Sequence, residues 1–73
     1  MNVIVLGTNI SNRQKMKKIH PILSSAPTIF KWSVDMEDVD KVLRVETATK
    51  VSENHIIGLL KSVGLTGRQL PDY

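Results

Sequence analysis

The chain contains no cysteine, which excludes disulfide bonds, thiolate metal sites and cysteine nucleophiles. A chain without disulfides suits a reducing compartment, so the cytoplasm is the expected location. Aromatic residues are also scarce, with one Phe, one Trp and one Tyr among 73 residues. No apolar run approaches the roughly 20 residues of a membrane-spanning helix, and the opening segment 1–6 lacks the basic start and cleavage site of a signal peptide. We therefore expect no membrane partner.

Length and charge both favour one small domain. Seventy-three residues lie near the lower limit for a chain that builds its own core, so we predict a single domain over residues 1–73, with residues 71–73 as a tail. The net charge of +3 is mild but unevenly distributed, because acids gather in residues 35–40 and bases in a basic cluster. Such charge often serves solubility, and a basic surface can also attract an anionic partner. The basic cluster comprises Arg13, Lys15, Lys17 and Lys18.

Apolar periodicity in the first half predicts a strand followed by an amphipathic helix. Residues 3–10 alternate with a period of two, which is typical of a strand. Ser11 is the predicted helix N-cap, and Gln14 completes a capping box. Pro21 should kink the helix because it removes a backbone hydrogen bond, and we expect the helix to end near Ser24. The apolar stripe of this helix comprises Met16, Ile19, Ile22 and Leu23.

The middle of the chain reads as a β-hairpin. Residues 29–35 and 41–46 form two short strands around an acidic turn. Ile29 and Trp32 can share one face of the first of these strands only if a β-bulge lies between them. Trp32 could be an interface anchor, but strand periodicity favours a position in the core.

The last third predicts a helix and a closing strand. Ser52 caps the helix, Gly64 ends it, and residues 65–70 form the strand. The resulting order of elements defines an α+β fold, the ferredoxin-like βαββαβ sandwich, in which a four-stranded antiparallel sheet carries two helices on one face. The open face of the sheet is expected to show Val3, Val5 and Val42.

Two parts of the chain carry motifs in a specific order. The first loop and helix contain Thr8-Asn9-Ile10 and residues 16–23 with the helix proline, and the hairpin contains residues 29–35, with Trp-x-Val-Asp, and residues 40–46, with Asp-Lys-Val-Leu. These segments resemble the small bacterial heavy-metal-associated domains, which include copper chaperones. The resemblance spans nearly the whole chain, and it implies the ferredoxin-like fold and a metal-chaperone-like scaffold.

In that family the loop after the first strand carries Cys-x-x-Cys, whose thiolates hold a soft ion such as copper(I). The resemblance places Asn12 and Lys15 at the two cysteine positions, and a shifted alignment would place Asn9 and Asn12 there instead. Soft ions prefer sulfur, an amide oxygen binds them poorly, and a lysine ammonium repels them. We therefore expect no metal cofactor in this loop and no metal transfer through it.

His20 and His55 are the only histidines and offer a non-cysteine route to metal binding. The topology puts the end of the first helix and the start of the second at the same end of the domain. However, two ligands without a third make a weak site.

Other chemistries find little support in the sequence. RNA-binding domains of this fold stack bases on aromatic residues of the central strands, whereas these strands present Val3, Val5, Val42 and Arg44. No nucleic-acid partner is expected. The acidic turn lacks the ligand spacing of a calcium loop, and no nucleophile–base pair indicates an enzyme.

Three hypotheses about function follow. The first is a protein-interaction module that binds another protein through Ile10, Arg13, Lys15, Lys17 and Lys18, because partners in the related family meet around the metal loop and first helix. The second is metal-ion binding or transport through His20 and His55. The third is small-anion binding at the Asn12–Lys15 helix start, where free backbone N–H groups and basic side chains coincide.

Overall fold

The six predicted elements occur in the predicted order. The computed structural model describes residues 2–70, and Met1 and the predicted tail, residues 71–73, lie outside that range. The bounds of the elements are β1 Asn2–Thr8, α1 Arg13–Ser25, β2 Ile29–Asp35, β3 Val42–Thr47, α2 Glu53–Lys61 and β4 Gly67–Gln69.

The strands form one antiparallel sheet in the order β2-β3-β1-β4. The first and third strands are the central pair, and this arrangement is that of the ferredoxin-like βαββαβ sandwich. The predicted α+β fold class is therefore confirmed.

Alternating residues of the sheet face the two helices and form the core. Ile4 lies opposite Val45 and Leu6 opposite Leu43 across β1 and β3, and all four are buried. Both helices add to the same cluster, which places them on one face of the sheet. Their buried residues are Ile19 and Leu23 of α1 and Ile56 and Leu60 of α2.

The hairpin strand β2 contains the predicted bulge. Its register against β3 shifts between Ile29 and Lys31, so that Phe30 is the extra residue. Ile29 therefore faces the core together with Trp32, which lies opposite Val45 and packs against the core cluster. The prediction that Trp32 contributes to the core is confirmed.

The open face of the sheet differs from expectation at Val42. Val3 is 44% exposed, as predicted, but Val42 is only 8% exposed. The side chain of Arg68 crosses the backbone of Gly7 to form an ion pair with Asp40. Because Val42 is buried, the predicted apolar patch is smaller than expected.

Two predicted boundaries near the first loop are wrong. The first strand ends at Thr8 rather than Ile10, and Asn12 rather than Ser11 is the N-cap of α1. Asn12 has an extended backbone, with φ −153° and ψ 174°, and asparagine caps helices as well as serine does. The helix continues through Pro21 to Ser25, one residue beyond the predicted end.

The boundaries of α2 agree with the prediction from the sequence, whereas the last strand is shorter than predicted. Ser52 caps α2 by accepting the N–H of His55, and Gly64 follows the helix with φ +78°, a conformation that favours glycine. Only residues 67–69 pair with β1. The N–H of Leu65 instead donates to the Leu60 carbonyl at 3.0 Å, the N–H of Thr66 donates to the side chain of Asn9, and the Leu65 side chain is buried.

Candidate interaction surface at the first loop

The loop between β1 and α1 is fixed on both sides by hydrogen bonds. At its start, the N–H of Thr8 donates to the carbonyl of Asp40 at 2.9 Å and the Thr8 hydroxyl donates to the carbonyl of Lys41 at 2.6 Å. On the other side, the side-chain oxygen of Asn9 accepts the N–H of Thr66 at 2.9 Å. The loop is therefore held between the hairpin turn and the segment that precedes β4.

Ile10 is fully buried in the centre of this loop. Its N–H donates to the hydroxyl of Thr8 at 3.1 Å, and its side chain belongs to the core cluster. A buried side chain cannot contact a partner, so the prediction that Ile10 contributes to the interaction surface is wrong. The expectation of an accessible Ile10 rests on the resemblance alone, since the period-two alternation sets Ile10 on the same face as Ile4 and Leu6, which are buried.

Asn12 and Lys15, the positions assigned to the metal cysteines, are joined by the cap of α1. The Asn12 Oδ1 atom accepts the N–H of Lys15 at 2.9 Å, and the Asn12 carbonyl accepts the N–H of Met16 at 3.1 Å. The Lys15 Nζ atom lies 3.4 Å from the Ser11 hydroxyl oxygen. Asn12 thus accepts a free backbone N–H of the first helical turn, and Lys15 carries a positive charge.

The basic cluster lies on the first two turns of α1. Arg13, Lys17 and Lys18 are exposed, and Lys15 is half-buried. No acidic residue stands in the first turn of the helix. Among the described residues, the ion pairs join Lys31 to Glu46 and Arg68 to Asp40, so that the basic cluster takes part in neither. The start of α1 is therefore a positively charged surface.

The acidic turn between β2 and β3 is held by its own side chains. The Asp35 carboxylate accepts the N–H groups of Glu37 and Asp38, and Asp38 accepts the N–H of Asp40 at 2.8 Å. Lys41, which has φ +46°, donates its ammonium group to the Met36 carbonyl at 2.8 Å. The carboxylates of Asp35 and Asp38 thus serve the turn itself.

The histidines have different surroundings. The ring of His20, on α1, meets the ring of Trp32 edge-on at a centroid distance of 5.5 Å. His55 is exposed in the first turn of α2. Across residues 2–70, no three His, Asp or Glu side chains come close enough to hold a metal ion together. In the same range, neither helix has the length and apolar character to cross a bilayer.

The order of the strands and helices places the chain in the ferredoxin-like α+β class. Among solved structures, the chain is similar to one described as "Crosstalk between Cu(I) and Zn(II) homeostasis", with a TM-score of 0.79. The two share 13% sequence identity, and the match covers 96% of this chain and 100% of the other. Neither a protein-family model nor a curated protein matches the sequence. At this identity the similarity shows a common fold.

Proposed function

We propose that this domain is a non-enzymatic, cytoplasmic protein-interaction module on a heavy-metal-associated scaffold without the metal ligands. Its partner is a protein with an acidic surface, which binds the basic cluster at the start of α1. The observation that carries the proposal is the cap of this helix. Asn12 uses its side-chain oxygen to accept a backbone N–H, and Lys15 adds a cation where the resemblance expects a thiolate.

The electrostatics of α1 support an acidic partner. The N-terminus of a helix carries a partial positive charge, so basic side chains in its first turn are unfavourable for folding. Arg13 and Lys15 stand there, and no acidic residue in the first turn offsets them. An acidic partner would relieve this repulsion, and the association would weaken as salt rises.

The hydrogen bonds around the loop support the same surface. Thr8 and Asn9 tie the loop to residues 40–41 and 66. A segment that is already ordered loses little conformational entropy when it binds a partner. The scaffold therefore presents the basic cluster in a fixed position.

The test is a titration of the natural chain with a glutamate-rich peptide, followed by two-dimensional amide NMR. We expect shifts concentrated in residues 12–18 that disappear at high salt. The double variant Lys15→Glu/Lys18→Glu should weaken binding by roughly tenfold or more, because it replaces two attractive charges with two repulsive ones.

The matched control is Lys50→Glu/Lys61→Glu, which makes the same change in net charge at two exposed residues outside α1. Binding by this control should stay close to that of the natural chain. Equal losses in the two double variants would mean that only net charge matters, and would remove the start of α1 as the binding surface.

A further inference from the structure

The strand β2 forms one edge of the sheet and carries an incompletely covered part of the core. Within residues 2–70 it pairs with β3 on one side and with no strand on the other. Trp32 and Val34 are half-buried, although their neighbours on β3, Val45 and Leu43, are fully buried. The flank of the core is therefore open to water along this edge.

The sequence of this edge is self-complementary. In the five residues 31–35, the charged residues Lys31 and Asp35 stand at the two ends with opposite signs, and apolar Trp32 and Val34 stand on either side of Ser33. Lys31, Ser33 and Asp35 are exposed, whereas Trp32 and Val34 face the helices. The segment thus has the same pattern in both directions, except that the charges change sign.

We propose that two copies of this chain associate through their β2 edges, antiparallel and centred on Ser33, to form an eight-stranded sheet. In this register Lys31 lies opposite Asp35 of the second copy, and Trp32 lies opposite Val34 of the second copy. The two-fold axis makes each of these pairs occur twice. Opposite charges and aromatic–β-branched pairs are the cross-strand neighbours that stabilise antiparallel strands.

The alternatives on the same edge fit less well. Moving the two-fold axis to Trp32 sets Lys31 opposite Ser33 and sets Asp35 opposite Ile29. Moving it to Val34 carries Lys31 past the end of the strand, to Glu37 in the turn. The register centred on Ser33 is the one that sets Lys31 and Asp35 opposite charges of the other sign within the strand, beside the contacts of Lys31 with Glu46 and of Asp35 with the turn.

Two features of the molecule are compatible with this dimer. The bulge at Phe30, a residue that is 55% exposed, ends the regular part of the strand and limits the pairing to about five residues. The α1 helices of the two copies would run antiparallel, so their basic clusters would lie at opposite ends. Because so short an edge buries little surface, the dimer should be weak and concentration-dependent.

Cysteine cross-linking tests the register, since the natural chain has no thiol. Residues on the two-fold axis of an antiparallel pair have Cα atoms about 4.5–5.5 Å apart, which suits a disulfide. We expect Ser33→Cys to form a cross-linked dimer in a glutathione redox buffer. Lys31→Cys, on the same face of the same strand, should not, because its two copies lie about 13 Å apart along the strand. A mixture of Lys31→Cys and Asp35→Cys should form the mixed dimer.

A charge swap, followed by sedimentation, tests the association itself. Lys31→Asp sets like charges opposite each other at both pairs and should weaken association by roughly tenfold. Adding Asp35→Lys restores opposite charges and should restore association. Lys50→Asp, an equal charge change outside β2, should have no effect. Amide NMR spectra check that each variant is folded.

Three results would overturn the proposal. The first is a natural chain that stays monomeric at millimolar concentration. The second is cross-linking of Ser33→Cys no faster than that of Lys31→Cys. The third is a folded double charge variant that associates no better than Lys31→Asp alone.

Discussion

At the scale of a single residue, the side chain of Asn12 accepts the N–H of Lys15 and closes the first turn of α1. Replacing an N-cap asparagine by alanine leaves a backbone donor without its partner and costs about 1 kcal/mol. We therefore expect Asn12→Ala to lower the free energy of unfolding, measured in urea, by about that amount. Ser11→Ala is the control and should change it little, since the Ser11 hydroxyl receives only the long contact from Lys15. A larger loss for Ser11→Ala would assign the cap to Ser11.

Single residues near the first loop mark the limit of sequence reasoning. Ser11 and Asn12 are both good N-caps, so the pattern alone does not choose between them. The choice depends on where the strand stops, and Thr8 sets that point through hydrogen bonds to residues 40 and 41. Contacts across more than 30 residues leave no local signal, so the end of β1 is not predictable from the sequence nearby. The expectation that Ile10 is accessible rests on the resemblance to the heavy-metal-associated domains, whose partners meet at this loop.

At the scale of an element, α1 combines a basic cluster with the positive end of its own dipole. Arg13→Glu would place a carboxylate in the first turn and should raise the free energy of unfolding by about 0.3–1 kcal/mol at low salt. Lys61→Glu, in the last turn of α2, should lower it by a similar amount for the opposite reason. Urea unfolding at low and high salt measures both effects. A loss of stability in Arg13→Glu would contradict the electrostatic account of this helix.

The packing of α2 against β4 gives a second prediction at this scale, through two glycines. A Cβ atom at Gly67 would come within 2.6 Å of the Leu60 Cδ1 atom, and Leu60 is fully buried. Gly67→Ala should therefore lower the free energy of unfolding by about 1–3 kcal/mol.

Gly58, within α2, has open space around it. Gly58→Ala should raise the free energy of unfolding by about 0.5–1 kcal/mol, because alanine favours the helix. Thermal and urea unfolding measure both, and the two variants should change stability in opposite directions.

The elements themselves were largely predictable because their signals are local. The bulge at Phe30 follows from the need to turn both Ile29 and Trp32 inward, and Ser52 begins α2 as its position before the apolar stripe indicates. The burial of Val42 was not predictable. The alternation along β3 sets Val42 on the open face, and the pair between Arg68 and Asp40 near it joins residues that lie 28 positions apart and meet only in the folded sheet.

At the scale of the whole molecule, the fold is specified by the pattern of apolar positions. The chain shares 13% identity with a solved structure and yet superposes with a TM-score of 0.79. The buried residues Ile4, Leu6, Leu43 and Val45 recur with the alternation that a half-covered sheet requires. The same pattern does not specify a ligand, because function depends on a few side chains on the scaffold.

We propose that this scaffold has the position of a metal loop but not the ligands of one. The measurement that tests it most directly is a copper(I) titration, in a reducing buffer, of the natural chain beside the variant Asn12→Cys/Lys15→Cys. We predict that copper(I) leaves the amide NMR spectrum of the natural chain unchanged and binds the variant with shifts confined to residues 8–16, since two thiolates suit this ion. Copper-induced shifts in the natural loop, or a folded variant that does not bind copper(I), would contradict the account.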